Sequence, residues 1–110
     1  MILDRFRMPE HVAIVTGASS GIGRACALAF AEVGARVVCA ARGPERLERV
    51  VEQIRAQGGT ALAVPCDVND GAQVEAVVER ALKEFGRIDV VVNNAGGTGP
   101  TPALDLKQAD

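Results

Sequence analysis

The sequence predicts an α/β domain built on a parallel sheet, and three observations carry that prediction. Short apolar runs alternate with longer stretches in which apolar residues recur at helical spacing. Glycine follows each of those helical stretches. The first run empties into a glycine-rich turn that opens a helix, the one context in which a glycine pattern signals a phosphate site. The resulting order is βαβαβαβ with four strands. Strands joined by helical crossovers pair in parallel with right-handed connections.

The first strand runs from His11 to Thr16. From Ile22 a helix follows, with Ala25, Cys26, Ala29 and Val33 at its period and Gly34 as its stop. Arg36 to Ala41 is the second strand, and Gly43 and Pro44 break it. Leu47, Val50, Val51 and Ile54 mark the buried face of the second helix, while Glu45 and Arg49 sit on its solvated face. Gly58 and Gly59 close that helix and Thr60 to Val64 is the third strand. Asp70 with Gln73 has the spacing of a capping box for a third helix, which buries Val74, Val77, Val78, Ala81, Leu82 and Phe85. Ile88 to Val92 is the fourth strand, delivering Asn93, Asn94, Ala95 and Gly96 to a loop. Beyond Gly97 no strong period remains.

At 110 residues, 48% hydrophobic and 24% charged, the chain has the makeup of one domain or part of one. A net charge of −2 offers no basic field to a nucleic-acid backbone, which excludes that partner class. The opening MILDRFRMPE has no export region and no apolar run approaches a membrane span, so a cytoplasmic chain without a membrane partner is expected. Cys26, Cys39 and Cys66 show no paired spacing, and His11 is the single histidine. No metal site is expected, the thiols read as free, buried and inert, and His11 reads as a surface imidazole without chemistry.

The chemistry is concentrated in TGASSGIG, Thr16 to Gly23. Gly17 lets the chain leave the strand in a tight turn, Gly21 leaves room for a pyrophosphate, and Gly23 lets the helix approach the sheet. The unpaired amides of that helix then face the phosphates, with a dipole contribution of roughly 0.3–1 kcal/mol. This reads as the phosphate turn of a Rossmann-type, doubly wound parallel sheet, of which the 110 residues make a partial version; a tight strand-to-helix turn that holds no ligand is the alternative.

TGASSGIG, with three residues between its first two glycines, resembles the TGxxxGxG signature of the short-chain dehydrogenase/reductase family. NNAG, Asn93 to Gly96, resembles that family's second signature, and the likeness covers the chain from His11 onward. It implies a cofactor site made of Gly17, Ser19, Ser20, Gly21, Ile22 and Gly23 in the first turn, and Asn94, Ala95 and Gly96 along the cofactor. Asn94 is also expected to brace the central strands through side-chain hydrogen bonds, or to form a structural Asx turn. CDV, Cys66 to Val68, matches the family's adenine-contacting segment, which implies cofactor roles for Asp67 and Val68; a plain turn role for Asp67 is the alternative.

An acid about twenty residues beyond the glycines would accept bonds from a ribose 2′-hydroxyl and repel a 2′-phosphate. Here Ala41 is followed by Arg42, so NADP(H) is favoured over NAD(H). Ser20 stands where some NADP-preferring relatives carry a second basic residue.

The resemblance implies a Tyr whose pKa is lowered by a Lys four residues later, with a Ser beside it. The 110 residues contain no Tyr, and neither Lys83 nor Lys107 follows such a pattern, so no catalytic residue is assigned. Residues 1–110 are therefore expected to be a truncated cofactor-binding domain, inactive alone, from an oxidoreductase acting on a small-molecule alcohol or carbonyl. NNAGGTGPTP resembles the corresponding loop of some bacterial hydroxysteroid dehydrogenases, a hint of a steroid-like substrate. A non-catalytic dinucleotide-binding or regulatory protein is one alternative, and a remnant that neither folds nor binds is another. The complete form is expected to be a homo-oligomer, and the chain alone to be marginally stable or oligomeric, since its fourth strand is an unpaired edge.

Overall fold

The structure is a computed structural model that describes residues 9–94, Ser20 excepted. Its elements are β1 (Val12–Thr16), α1 (Gly21–Glu32), β2 (Arg36–Ala41), α2 (Pro44–Ala56), β3 (Thr60–Pro65), α3 (Gly71–Phe85) and β4 (Val90–Asn93). The strands form one all-parallel sheet in the order β3-β2-β1-β4. The chain moves outward from β1 to β3, then returns to place β4 on the opposite side of β1. That reversal opens a crevice beyond the carboxyl ends of β1 and β4, where open α/β sheets bind ligands.

Alternation along the strands sorts the core onto two faces. Val15, Val37, Cys39 and Ala41 join Ala27 of α1 and Leu47, Val50, Val51 and Ile54 of α2. On the other face Val12, Ile14, Val38 and Ala40 meet Val77 and Ala81 of α3. β1 and β2 are buried on both faces, which is why their sequences are continuous apolar runs.

The helices form for local reasons that favour the same placement. α2 starts with Pro44 in its first turn, followed by Glu45, and carries Arg55 in its last, as the helix dipole prefers. α3 begins at Asp70, whose Oδ1 accepts the Ala72 N–H at 3.0 Å, and ends on Gly86 in the left-handed region at φ 78. The Arg36 guanidinium lies 5.8 Å from the centre of the Phe85 ring, tying the end of α3 to β2.

Asp89 fastens the start of β4 to β1. Its Oδ2 accepts the Val12 N–H at 2.8 Å, while Arg87 donates to both carboxylate oxygens at 2.6 and 2.9 Å. The Arg87 bonds, then the Val12 amide, hold the Asp89 carboxyl below its ordinary value.

Three expectations need correction. Val78 and Leu82 are not buried: they are 37% and 47% exposed. The stripe of α3 against the sheet is the narrower one of Val74, Val77, Ala81 and Phe85, and its flank meets no other described element. The capping box closes differently: the Asp70 N–H already donates to Asp67 O at 3.0 Å. The Gln73 carboxamide instead accepts from Asp67 N at 2.8 Å and donates to Asp70 Oδ2 at 3.1 Å. Cys26 is half-buried, whereas Cys39 and Cys66 are buried as expected, and all three thiols are free. Among the described residues no helix is long and apolar enough to cross a membrane.

Candidate functional site

β1 delivers the chain to the site at Thr16. Gly17 turns at φ 66, Ala18 donates its N–H to Ala40 O at 3.2 Å, and Gly21 turns again at φ 59 to start α1. A side chain at Gly21 would meet nothing within 4 Å, so its glycine answers to the left-handed backbone and to the open space outside it. Gly23 answers to close approach. A Cβ there would overlap the Gly17 carbonyl oxygen and come within 2.8 Å of Asn94 Nδ2. α1 therefore lies hard against the turn, its first amides directed at the space beside Gly21. Ile22, in the first turn of α1, is 72% exposed, an apolar side chain left uncovered at the edge of that space.

The turn is locked to β4 by one hydroxyl. Thr16 Oγ1 shares its one proton between Val92 O at 3.2 Å and Asn93 Oδ1 at 3.1 Å, and accepts the Asn94 N–H at 3.0 Å. The expected brace of the central strands thus exists, but Asn93 supplies the side chain and Asn94 its backbone amide. The Asn94 side chain is packed beside Gly23 instead, so the two signature segments are in direct contact. Thr16 and Asn93 were not singled out from the sequence. A hydroxyl on the last residue of a buried strand is the signal that could have found them, since it needs a partner there.

Arg42 follows β2 directly and is exposed, at the same end of the sheet as the glycine turn. Asp67 is half-buried after β3, and its Oδ1 accepts the Asn69 N–H at 2.9 Å, the geometry of an Asx turn. Val68 is half-buried against the α3 face of the core. It lines an apolar crevice of about 140 Å³ with Thr16, Cys66, Val74, Val91 and Asn93, beside the carboxyl ends of β1 and β4. Burial first, then the charges of Asp67 and Asp70, raise the Cys66 thiol above its ordinary value, so it is a neutral lining group. Ser20, Ala95 and Gly96 lie outside the described residues. Among the described residues no group of His, Cys, Asp and Glu has the makings of a metal site.

The arrangement is a turn with open space at Gly21, a helix amino-terminus, a cation after the neighbouring strand and a carboxylate after the next. A pyrophosphate with a sugar and a base on one side fits that sequence of groups. Gly23 is the observation that fits best, because only glycine permits the contact that brings the α1 amides to the turn.

Comparison with known proteins agrees. The family model described as short chain dehydrogenase matches residues 11–110. The 7α-hydroxysteroid dehydrogenase of Escherichia coli K12 is 39% identical over 97% of this chain and 42% of its own length. A solved 7α-hydroxysteroid dehydrogenase complexed with NADH and 7-oxo glycochenodeoxycholic acid superposes with a TM-score of 0.83 at 36% identity. It matches 96% of this chain and 43% of that one. A metagenomic short-chain oxidoreductase in complex with NADP gives a TM-score of 0.77 at 45% identity, over 81% of this chain and 40% of that one. The chain spans less than half the length of each. The chain belongs to the short-chain dehydrogenase family.

Proposed function

We propose that this member of the short-chain dehydrogenase family binds NADP(H) across the glycine turn. Within a chain that also carries the family's Tyr and Lys, it would serve reduction of a carbonyl or oxidation of a secondary alcohol. The observation that carries the reading is the contact between the two signature segments at Gly23, which has no packing use that requires an open turn at Gly21. The bound nicotinamide would supply or accept the hydride.

The chain's own residues divide the work of holding it. Gly17, Ser19, Ser20, Gly21 and Gly23 shape the turn, and the α1 amides stabilise the pyrophosphate charge. Ile22 covers apolar cofactor surface that water would otherwise meet. Arg42 contributes a charge-assisted bond to the 2′-phosphate, Asp67 and Val68 bracket the adenine, and Asn94, Ala95 and Gly96 run along the nicotinamide half. Thr16 keeps the last group aligned with the first through its three hydrogen bonds. With no Tyr among the 110 residues, these residues bind cofactor without turnover by themselves. The substrate class is a small secondary alcohol or its ketone. A steroid-like alcohol is the first to try in a catalytic chain, given the relative named above. The complete protein is proposed to be a cytoplasmic homo-oligomer.

Titration with NADPH and with NADH tests the cofactor choice. Arg42→Ala should weaken NADPH about tenfold, the discounted worth of one charged bond at an exposed site, and leave NADH within about twofold. Equal losses for both cofactors, or none for either, would remove Arg42 from the role and the preference for NADP(H) with it.

A further inference from the structure

We propose that the groove between the carboxyl ends of α1 and α2 binds a small alkylguanidinium ion, held by Glu32 and the helix-end carbonyls. The groove lies at the amino-terminal end of the parallel sheet, where α1 turns into β2 and α2 into β3. It is therefore separate from the glycine turn, which stands at the opposite end.

The groove has a volume of about 280 Å³, and Glu32, Gly34, Gln57, Gly58, Gly59 and Thr60 are among its lining residues. One wall is fixed by close packing: a Cβ at Gly59 would come within 2.7 Å of Ile54 Cγ2. The amide donors around it are already engaged. Gly34 and Ala35 donate to Ala31 O and Phe30 O, each at 3.0 Å. Gln57 and Gly59 donate to Ile54 O at 3.1 and 2.9 Å, and Gly58 donates to Arg55 O at 3.0 Å. The carbonyls of Glu32, Gln57 and Gly58, by contrast, accept no backbone N–H among the described residues. The Gln57 carboxamide and the Thr60 hydroxyl can each give or accept, so the groove offers mainly acceptors.

Charge points the same way. Both helices present the negative end of their dipole here, and α1 has no basic residue in its last turn. It ends instead on Glu32, an acid where the dipole prefers a cation. Among the described residues no Lys, Arg or His lines the groove. Arg55, in the last turn of α2, lies outside it, and its Nη2 donates to Ala61 O at 2.9 Å. A guanidinium suits this setting because it has five N–H donors and no acceptor. Its planar fork takes a carboxylate with two bonds and leaves donors for the carbonyls, whereas an ammonium has three donors in all. The volume is that of a small molecule. The large apolar side chains that a docking protein would cover, Ile22, Val78, Leu82 and Val91, all lie elsewhere among the described residues.

The test is NMR titration of the isotope-labelled 110-residue chain at low ionic strength with n-butylguanidinium, n-butylammonium and n-butanol. The amides of Gly34, Gly58, Gly59 and Thr60 are the reporters. The titration is repeated on Glu32→Gln and on Glu48→Gln, an exposed acid of α2 outside the groove, with circular dichroism to check each fold. The proposal expects saturable shifts at those amides with n-butylguanidinium, binding of n-butylammonium at least about threefold weaker, and no response to n-butanol. Glu32→Gln should weaken the guanidinium about fivefold, the worth of one charged pair at an exposed site, and Glu48→Gln should leave it unchanged. Shifts that never saturate, equal binding of the alcohol or of the ammonium ion, or equal weakening by the two variants would overturn the proposal. So would a folded chain that binds none of the three.

Discussion

The two faces of the sheet are closed to different degrees. On one, α1 and α2 lie side by side, and Leu47, Val50, Val51 and Ile54 are sealed from water. On the other, α3 alone covers the described sheet, burying Val77 and Ala81 while Val78, Leu82 and, on β4, Val91 stay open. Both faces grow from strands of the same apolar character, so the difference lies in how many helices reach them. The glycine turn stands on the closed face. The crevice at the end of β4 stands on the open one.

The largest expected break in that comparison is Leu47→Ala. It should cost about 3 kcal/mol in denaturant unfolding, because a fully buried side chain leaves a cavity the sheet cannot fill. Leu82→Lys on the open face should stay within about 0.5 kcal/mol and reduce self-association at high concentration, read by light scattering. Equal costs at the two positions would mean that the faces are equally packed.

Next in size is the cap of α3. Asp70→Ala removes the acceptor for the Ala72 N–H and a partner of Gln73, and should cost about 1 kcal/mol. The loss should show as faster amide exchange across α3, with α2 amides unaffected. An equal acceleration in α2 would mean that the faces unfold as one unit.

The smallest effect is on pH. Asp89 has a folded pKa below its ordinary 3.8, so the unfolded chain takes up the proton first as pH falls. Its contribution is present above that value and is lost as pH drops through the lower folded pKa. Asp89→Asn should therefore flatten the acid limb of stability measured between about pH 5 and pH 2. An unchanged limb would show that the β1–β4 fastening is electrostatically idle.

Most of the fold was legible because the strands are continuous apolar runs and each helical stretch is followed by glycine. β2 spans Arg36–Ala41 as read, and the other elements shift by a residue or a few at their ends. What the sequence hid are relations between elements. Val78 and Leu82 share the apolar period of α3, and only the orientation of that helix on the sheet shows that they face outward. The Thr16 lock joins residues 76 to 78 positions apart, and no local pattern marks it. The capping spacing of Asp70 and Gln73 was visible, but the competing bond to Asp67 was not.

The central claim is that the glycine turn is a dinucleotide site whose geometry depends on α1 approaching it at Gly23. The most direct test is NADPH titration of the wild type and of Gly23→Ala, with the fold of each checked by circular dichroism. The account predicts saturable binding to the wild type. In the folded variant it predicts a loss of about a hundredfold or more, since the added methyl must push α1 off the Gly17 carbonyl. A folded Gly23→Ala chain that binds NADPH as the wild type does, or a wild type that binds no dinucleotide, would contradict it.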